Sequence, residues 1–308
     1  MLFLFETGFK ESSYKTPDSN EYLTLAKSFF SSYLSNTKNG DLSVLRTPGY
    51  PLFITSISTI NLWLVIFFQI VLSLLIAIGM SKIIAKTRST NYSFPLFILC
   101  SIETSLLSES YALLTEILFT SLIVLGFYLL FMHLHNSNPK VVMILMSGLS
   151  FGIAILVRPV GIFLIALLVI TLIFQYINRK HAVLILISIL SISGLWTLRN
   201  TIVYQVPSVS SIESNNLLYW EGAGAVAISK KVTIDKVQKE ETDRKNQTIG
   251  ASAPISQRYK YERSRGLKLI CTNIKGFLEM HFIGIIKIFI GPGQGEFINA
   301  LSKGERQR

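Results

Sequence analysis

Six ionisable residues of this 308-residue sequence are the candidates for chemistry: Asp18, Arg46, Glu109, Glu116, Arg158 and Arg199. They come from five separate segments, and Glu116 and Arg158 lie inside or at the edge of runs of apolar residues. Glu116 falls about one turn inside such a run and Arg158 immediately precedes Pro159. An ionisable group in hydrocarbon costs several kcal/mol unless it faces a bundle interior or a water-filled cavity. Carboxylates and guanidinium groups kept under that penalty suit phosphate or polar head groups at a membrane surface. A plainer reading of Glu116 and Arg158 is an ion pair that closes a helix bundle. Glu103, in the middle of another apolar run, is expected to be protonated or paired with one of these arginines.

Two of the six, Asp18 and Arg46, have competing readings. The stretch Thr16–Leu34 places Tyr22, Leu25, Ala26, Phe29, Phe30, Tyr33 and Leu34 on one helical face. It is too short and too polar to span, so it is expected to lie flat with its aromatic residues among lipid head groups. Asp18 at its head reads as an N-cap, with Glu21 three residues on completing a capping box. It also reads as a carboxylate held where a lipid-borne substrate presents its head. Arg46-Thr47-Pro48-Gly49-Tyr50-Pro51 forces a turn. Arg46 either snorkels to lipid phosphate or addresses the phosphate of a substrate.

The elements that must position these residues are membrane helices. Half the residues are hydrophobic, 15% are charged and the mean hydropathy is +0.48, where a soluble domain carries roughly 25% charged residues. The apolar residues arrive in blocks: Asn61–Met80, Tyr92–Leu107, Leu113–Met132, Val141–Val157, Ile162–Ile177 and Ala182–Leu198. About 18 apolar residues cross the roughly 30 Å of hydrocarbon as a helix, and lipid leaves an unpaired backbone group no partner. The fold expected is an all-α polytopic integral membrane protein of about six spans over 61–198. Residues 1–60 form an external loop with the interfacial helix and the turn. Residues 199–308 form an external tail, with 276–291 read as an interfacial or partial membrane helix.

Charge sets the orientation. The loops after the first, third and fifth runs hold Lys82, Lys86, Arg88, Lys140, Arg179 and Lys180 and no acidic residue. Basic residues in short loops mark the cytoplasmic side, so the six charges of interest fall at or near the outer face. Residues 229–275 hold twelve Lys/Arg against five Asp/Glu, but long segments translocate largely regardless of charge. The net charge of +11 therefore reflects topology, and no nucleic-acid motif accompanies it. Cys100 and Cys271 are too differently placed to suggest a disulfide. His133 and His135 have no acidic or thiol ligand nearby in sequence, so no metal site is expected. Gly291-Pro292-Gly293-Gln294-Gly295 lacks the spacing and the lysine of a phosphate-cradling loop. The charged stretch Lys230–Lys245 reads as a solvated helix or loop.

Several segments in order carry a resemblance: PDSNEYLTLA (Pro17–Ala26), RTPGYPLF (Arg46–Phe53), LLTEILFTSLIVLGFYLLF (Leu113–Phe131), GLSFGIAILVRPVGIFL (Gly148–Leu164), LWTLRN (Leu195–Asn200) and NLLYWEGAGAVA (Asn216–Ala227). Together they resemble bacterial GT-C glycosyltransferases, in the branch of protein mannosyltransferases and the lipid A aminoarabinose and galacturonic acid transferases. The resemblance implies a GT-C helix bundle and transfer of a sugar from a polyprenyl phosphate to an extracytoplasmic lipid, glycan or protein, by single inverting displacement. It implies Asp18 as the general base, Arg46 and Arg158 on the donor phosphate with Arg199 behind them, and Glu116 assisting. No cofactor beyond the lipid-linked donor is implied. The partners are membrane lipid, the donor and an unspecified acceptor, and the setting is a bacterial plasma membrane. The family's first and last helices have no counterpart here, and a polar stretch directly after Met1–Phe5 would need a preceding helix as tether. Two rival readings follow: a transporter or lipid flippase whose path the charges line, which inverted repeats would favour, and a truncated, inactive remnant.

Overall fold

In the computed structural model the described residues are 16–34, 40–58, 61–87, 90–136, 140–173 and 178–290, and they form helices joined by turns, with no strand among them. Met1–Phe5 and the glycine run at 291–295 lie outside these residues. The order is α1 (Pro17–Lys27), a π turn (Phe30–Leu34), α2 (Gly40–Leu45), α3 (Gly49–Ser58), α4 (Leu62–Thr87), α5 (Ser93–Ser101), α6 (Thr104–Tyr111), α7 (Glu116–Leu134), α8 (Val141–Val157), α9 (Phe163–Ile173) and α10 (Arg179–Tyr204). Then come α11 (Ile212–Asn216), a second π turn (Leu217–Gly222), α12 (Ala223–Lys230), α13 (Ile234–Ile249), α14 (Ile255–Thr272) and α15 (Ile274–Ile290). The described chain divides into two compact units, residues 16–43 with 47–196, and residues 44–46 with 197–290.

Among the described residues three helices are long and apolar enough to cross a membrane: Leu62–Lys86, Glu116–Leu134 and Arg179–Tyr204. Large apolar side chains such as Phe67, Leu75, Ile187 and Leu195 stand exposed along them, as lipid-facing surface requires. The helices approach through small residues, as membrane helices do when packing rather than water drives association. Ser147 on α8 donates to the carbonyl of Gly126 on α7 at 2.8 Å. At Gly148 a Cβ would come within 2.7 Å of the Ile185 carbonyl on α10.

The second expected span is not continuous. It breaks into α5 and α6 at Ile102-Glu103, and Glu103 is neither buried nor paired with an arginine. It is the exposed N-cap of α6, accepting from the amides of Ser105 at 3.0 Å and Leu106 at 2.6 Å. A carboxylate that satisfies two orphan amides opens a new helix more favourably than it crosses hydrocarbon.

α1 also departs from expectation. Its N-cap is Thr16, whose side chain accepts from the Ser19 amide while the Ser19 hydroxyl accepts from the Thr16 amide, a reciprocal capping box. Asp18 and Glu21 take no part in it, because Pro17 fits the first helical position and sets the start two residues earlier than Asp18 would. Nor does the apolar face lie among head groups. Tyr22, Leu25, Ala26, Phe29 and Tyr33 are buried against Tyr50, Leu42 and Trp196, and only Phe30 and Leu34 remain exposed.

In the second unit the charged stretch is helix α13, with Val237 and Glu241 buried. Arg265 on α14 binds Glu241 through both carboxylate oxygens, at 2.7 and 2.8 Å, and Lys245 meets the buried Glu262 at 3.0 Å. Buried carboxylates met by cations in this way lock α13 to α14, since an unpaired one would be strongly unfavourable. α15 leaves α14 at a 91° bend.

Candidate active site

The site grows from two helix ends. Pro159 cannot continue α8 and forces the preceding residue out of the helical region; Arg158 is accordingly extended, at φ −138° and ψ 120°, and ends the helix. Glu116 stands in the first turn of α7. A cation at a helix C-terminus and a carboxylate at an N-terminus both complement the helix dipole. α7 and α8 run antiparallel side by side, so these ends coincide. There Arg158 Nη1 meets Glu116 Oε1 at 2.5 Å, with the arginine side chain 36% and the glutamate 27% exposed. Thr115 donates to the other carboxylate oxygen at 3.3 Å. The guanidinium also lies over the Phe119 ring, 6.0 Å from its centroid. A guanidinium carries five N–H donors, and one carboxylate contact leaves several for other partners.

The turn at 47–50 is fastened to the same place. Thr47 donates to the Val157 carbonyl at 3.2 Å, one residue before Arg158. Gly49 sits so close to α8 that a Cβ would lie 2.6 Å from the Leu156 carbonyl oxygen. Tyr50, fully buried, packs edge-on to Tyr22 with ring centroids 5.1 Å apart and donates to Gln69 Oε1 at 2.8 Å. Burial pushes its phenol well up, and neighbouring Tyr22 and Glu116 add to this, so it stays a neutral donor. Gln69 Nε2 in turn donates to the carbonyls of Ala112 at 2.7 Å and Ser110 at 3.3 Å. From the other side, Ser19 donates to the Leu113 carbonyl at 2.9 Å. The bent link 112–115 that leads into Glu116 is therefore held twice.

The predicted residues divide accordingly. Glu116 and Arg158 are in contact. Asp18 is exposed in the first turn of α1, one residue from the Ser19 tether. Glu109 is half-buried on α6. Arg46 and Arg199 belong to the second unit. Arg199 is half-buried, donates to Asn200 Oδ1 at 2.9 Å and lies 4.9 Å from the centroid of the Tyr204 ring. The tethers Ser19, Thr47 and Gln69 went unread in the sequence. Of these only Gln69 carried a signal there, as an amide in the middle of the run Asn61–Met80.

The family model for dolichyl-phosphate-mannose-protein mannosyltransferase matches residues 47–218, more than half of the chain. The chain belongs to that family. As a member of the mannosyltransferase family it is an integral membrane glycosyltransferase, and its all-α build agrees with a GT-C bundle. The matched stretch contains Glu116, Arg158 and Arg199, whereas Asp18 and Arg46 precede it. No curated protein and no solved structure matches the chain.

Proposed function

We propose that this protein moves a sugar from a polyprenyl-phosphate donor to an acceptor hydroxyl or amine at the outer face of a bacterial plasma membrane. The observation that carries the reading is the partly exposed Glu116–Arg158 pair, where α7 begins and α8 ends beside the 47–50 turn. A lipid-linked donor keeps its phosphate and sugar at the interface, where a guanidinium at a helix end can meet them. Arg158 stabilises the charge that grows on the phosphate as the glycosidic bond breaks. Glu116, its two oxygens occupied by Arg158 and Thr115, orients the guanidinium. Asp18 accepts the acceptor's proton as the new bond forms, so the products are the glycosylated acceptor and free polyprenyl phosphate.

The side of the membrane is testable. The opposite end of the first unit is marked by basic groups: His133 Nδ1 contacts the Lys140 carbonyl at 3.0 Å, and His133 packs against His181. In a background free of Cys100 and Cys271, Thr24→Cys is expected to react with a membrane-impermeant thiol reagent in intact cells. Lys86→Cys, equally exposed but near the basic end of α4, is expected to react only after permeabilisation. Labelling of Lys86→Cys alone in intact cells would put the site on the cytoplasmic side and end this reading.

A further inference from the structure

We propose that Ser19 and Gln69 are positioning residues of the transfer reaction, acting through the bent link 112–115 to hold the Glu116–Arg158 pair in register with Asp18. The inference rests on the function proposed above and adds two residues that touch no substrate.

Ser19 is fully buried and its hydroxyl has its bonds assigned on every side. Its proton goes to the Leu113 carbonyl, 94 residues away in sequence, at 2.9 Å. Its oxygen accepts from the Thr16 amide at 2.9 Å and lies 2.9 Å from the Thr16 hydroxyl. With the proton of Ser19 committed to Leu113, Thr16 must be the donor in that last contact. One hydroxyl thus closes the cap of α1 and ties that cap to the link. Asp18 is the residue before it, so the tether fixes the backbone that carries the carboxylate.

Gln69 is also fully buried. Its amide is oriented by its partners, with Oε1 taking the Tyr50 hydroxyl and Nε2 facing the carbonyls of Ser110 and Ala112. It satisfies carbonyls left over where α6 ends and joins α3 to the link. The plain alternative is that both residues only stabilise the fold. Geometry sharpens the choice, because three residues beyond Leu113 stands Glu116. A shift of about 1 Å in a reacting geometry can cost on the order of a hundredfold in rate, whereas a lost buried hydrogen bond by itself changes only how much protein is folded.

The test is a kinetic cycle on full-length protein in membranes, with polyprenyl-phosphate mannose as donor and rates expressed per folded molecule. Ser19→Ala and Gln69→Leu are each expected to lower kcat about tenfold with the donor KM unchanged, the mark of an interaction felt in the transition state. Ser19→Thr, which keeps the hydroxyl, is expected to restore most of that loss. Thr55→Val removes a comparable tether between α3 and α1, the 2.9 Å bond to the Ala26 carbonyl, without touching the link; its kcat should equal that of the wild type. In an Asp18→Asn background Ser19→Ala should cost nothing more, since there is no longer a base to position. Wild-type kcat in Ser19→Ala, or a full additional loss in that background, would overturn the inference while leaving the function intact. Full activity of Asp18→Asn itself would overturn the inference too and would take Asp18 out of the proposed chemistry, with transfer from the lipid donor still intact.

Discussion

Asp18→Asn is expected to lower sugar transfer about a hundredfold or more, the usual worth of a general base, while the amount of folded protein in the membrane stays the same. Asn keeps the size and polarity of the side chain but cannot take a proton. Thr16, and not Asp18, caps α1, which makes the experiment cleaner than a capping aspartate would allow. Asp18→Ala should therefore match Asp18→Asn in activity per folded molecule, with no loss of the α1 cap. The measurement is the initial rate of transfer in membranes against immunoblotted protein. Near-normal turnover in Asp18→Asn would remove Asp18 from the chemistry, and Glu116 would be the remaining carboxylate at the site.

Arg158→Gln is expected to cost about a hundredfold to a thousandfold in kcat, the range found when a donor to a developing oxyanion is removed. Its effect on folding should be small by comparison. The pair is about one-third exposed, and exposed ion pairs are worth only about 0–1 kcal/mol. The charge reversal Glu116→Arg with Arg158→Glu separates the two roles. A pair that merely closes the bundle regains folded yield and activity together when reversed. A guanidinium that meets phosphate does not, because the reversal puts a carboxylate where the donor's negative charge develops. Recovery of transfer in the reversed protein, measured beside its thermal midpoint, would make the pair structural.

Much of this arrangement was legible in the sequence because the physics involved is local. Runs of apolar residues announce helices wherever lipid is the solvent, and Pro159 announces the end of α8. Alternation of the runs placed Glu116 and Arg158 at one end, and the contact between them follows from α7 and α8 being adjacent and antiparallel. The capping of α1 was misassigned because Asp18 and Glu21 fit the expected spacing as well as Thr16 and Ser19 do, and only Pro17 favoured the earlier start. Glu103 was misread because an average over the run Tyr92–Leu107 hides one carboxylate able to cap a helix. The amphipathic face of α1 gave the right helix and the wrong neighbour, since periodicity cannot tell lipid from protein as the partner of an apolar stripe. Ser19, Thr47 and Gln69 act across 94, 110 and up to 43 residues of sequence. No local pattern encodes such bonds, and a buried serine looks like any other serine.

On the function proposed above, the sugar arrives on a lipid phosphate and is cleaved from it here. Membranes carrying the wild-type chain or Asp18→Asn, supplied with mannose labelled either on polyprenyl phosphate or on a nucleotide, test this most directly. With the wild-type chain, label is expected to leave the lipid donor for an acceptor and free polyprenyl phosphate to accumulate in equal amount. The variant should do this at about one hundredth of the rate, and the nucleotide sugar should yield nothing when lipid donor cannot be regenerated from it. Direct transfer from the nucleotide sugar, or movement of intact lipid donor across the bilayer without cleavage, would contradict the account.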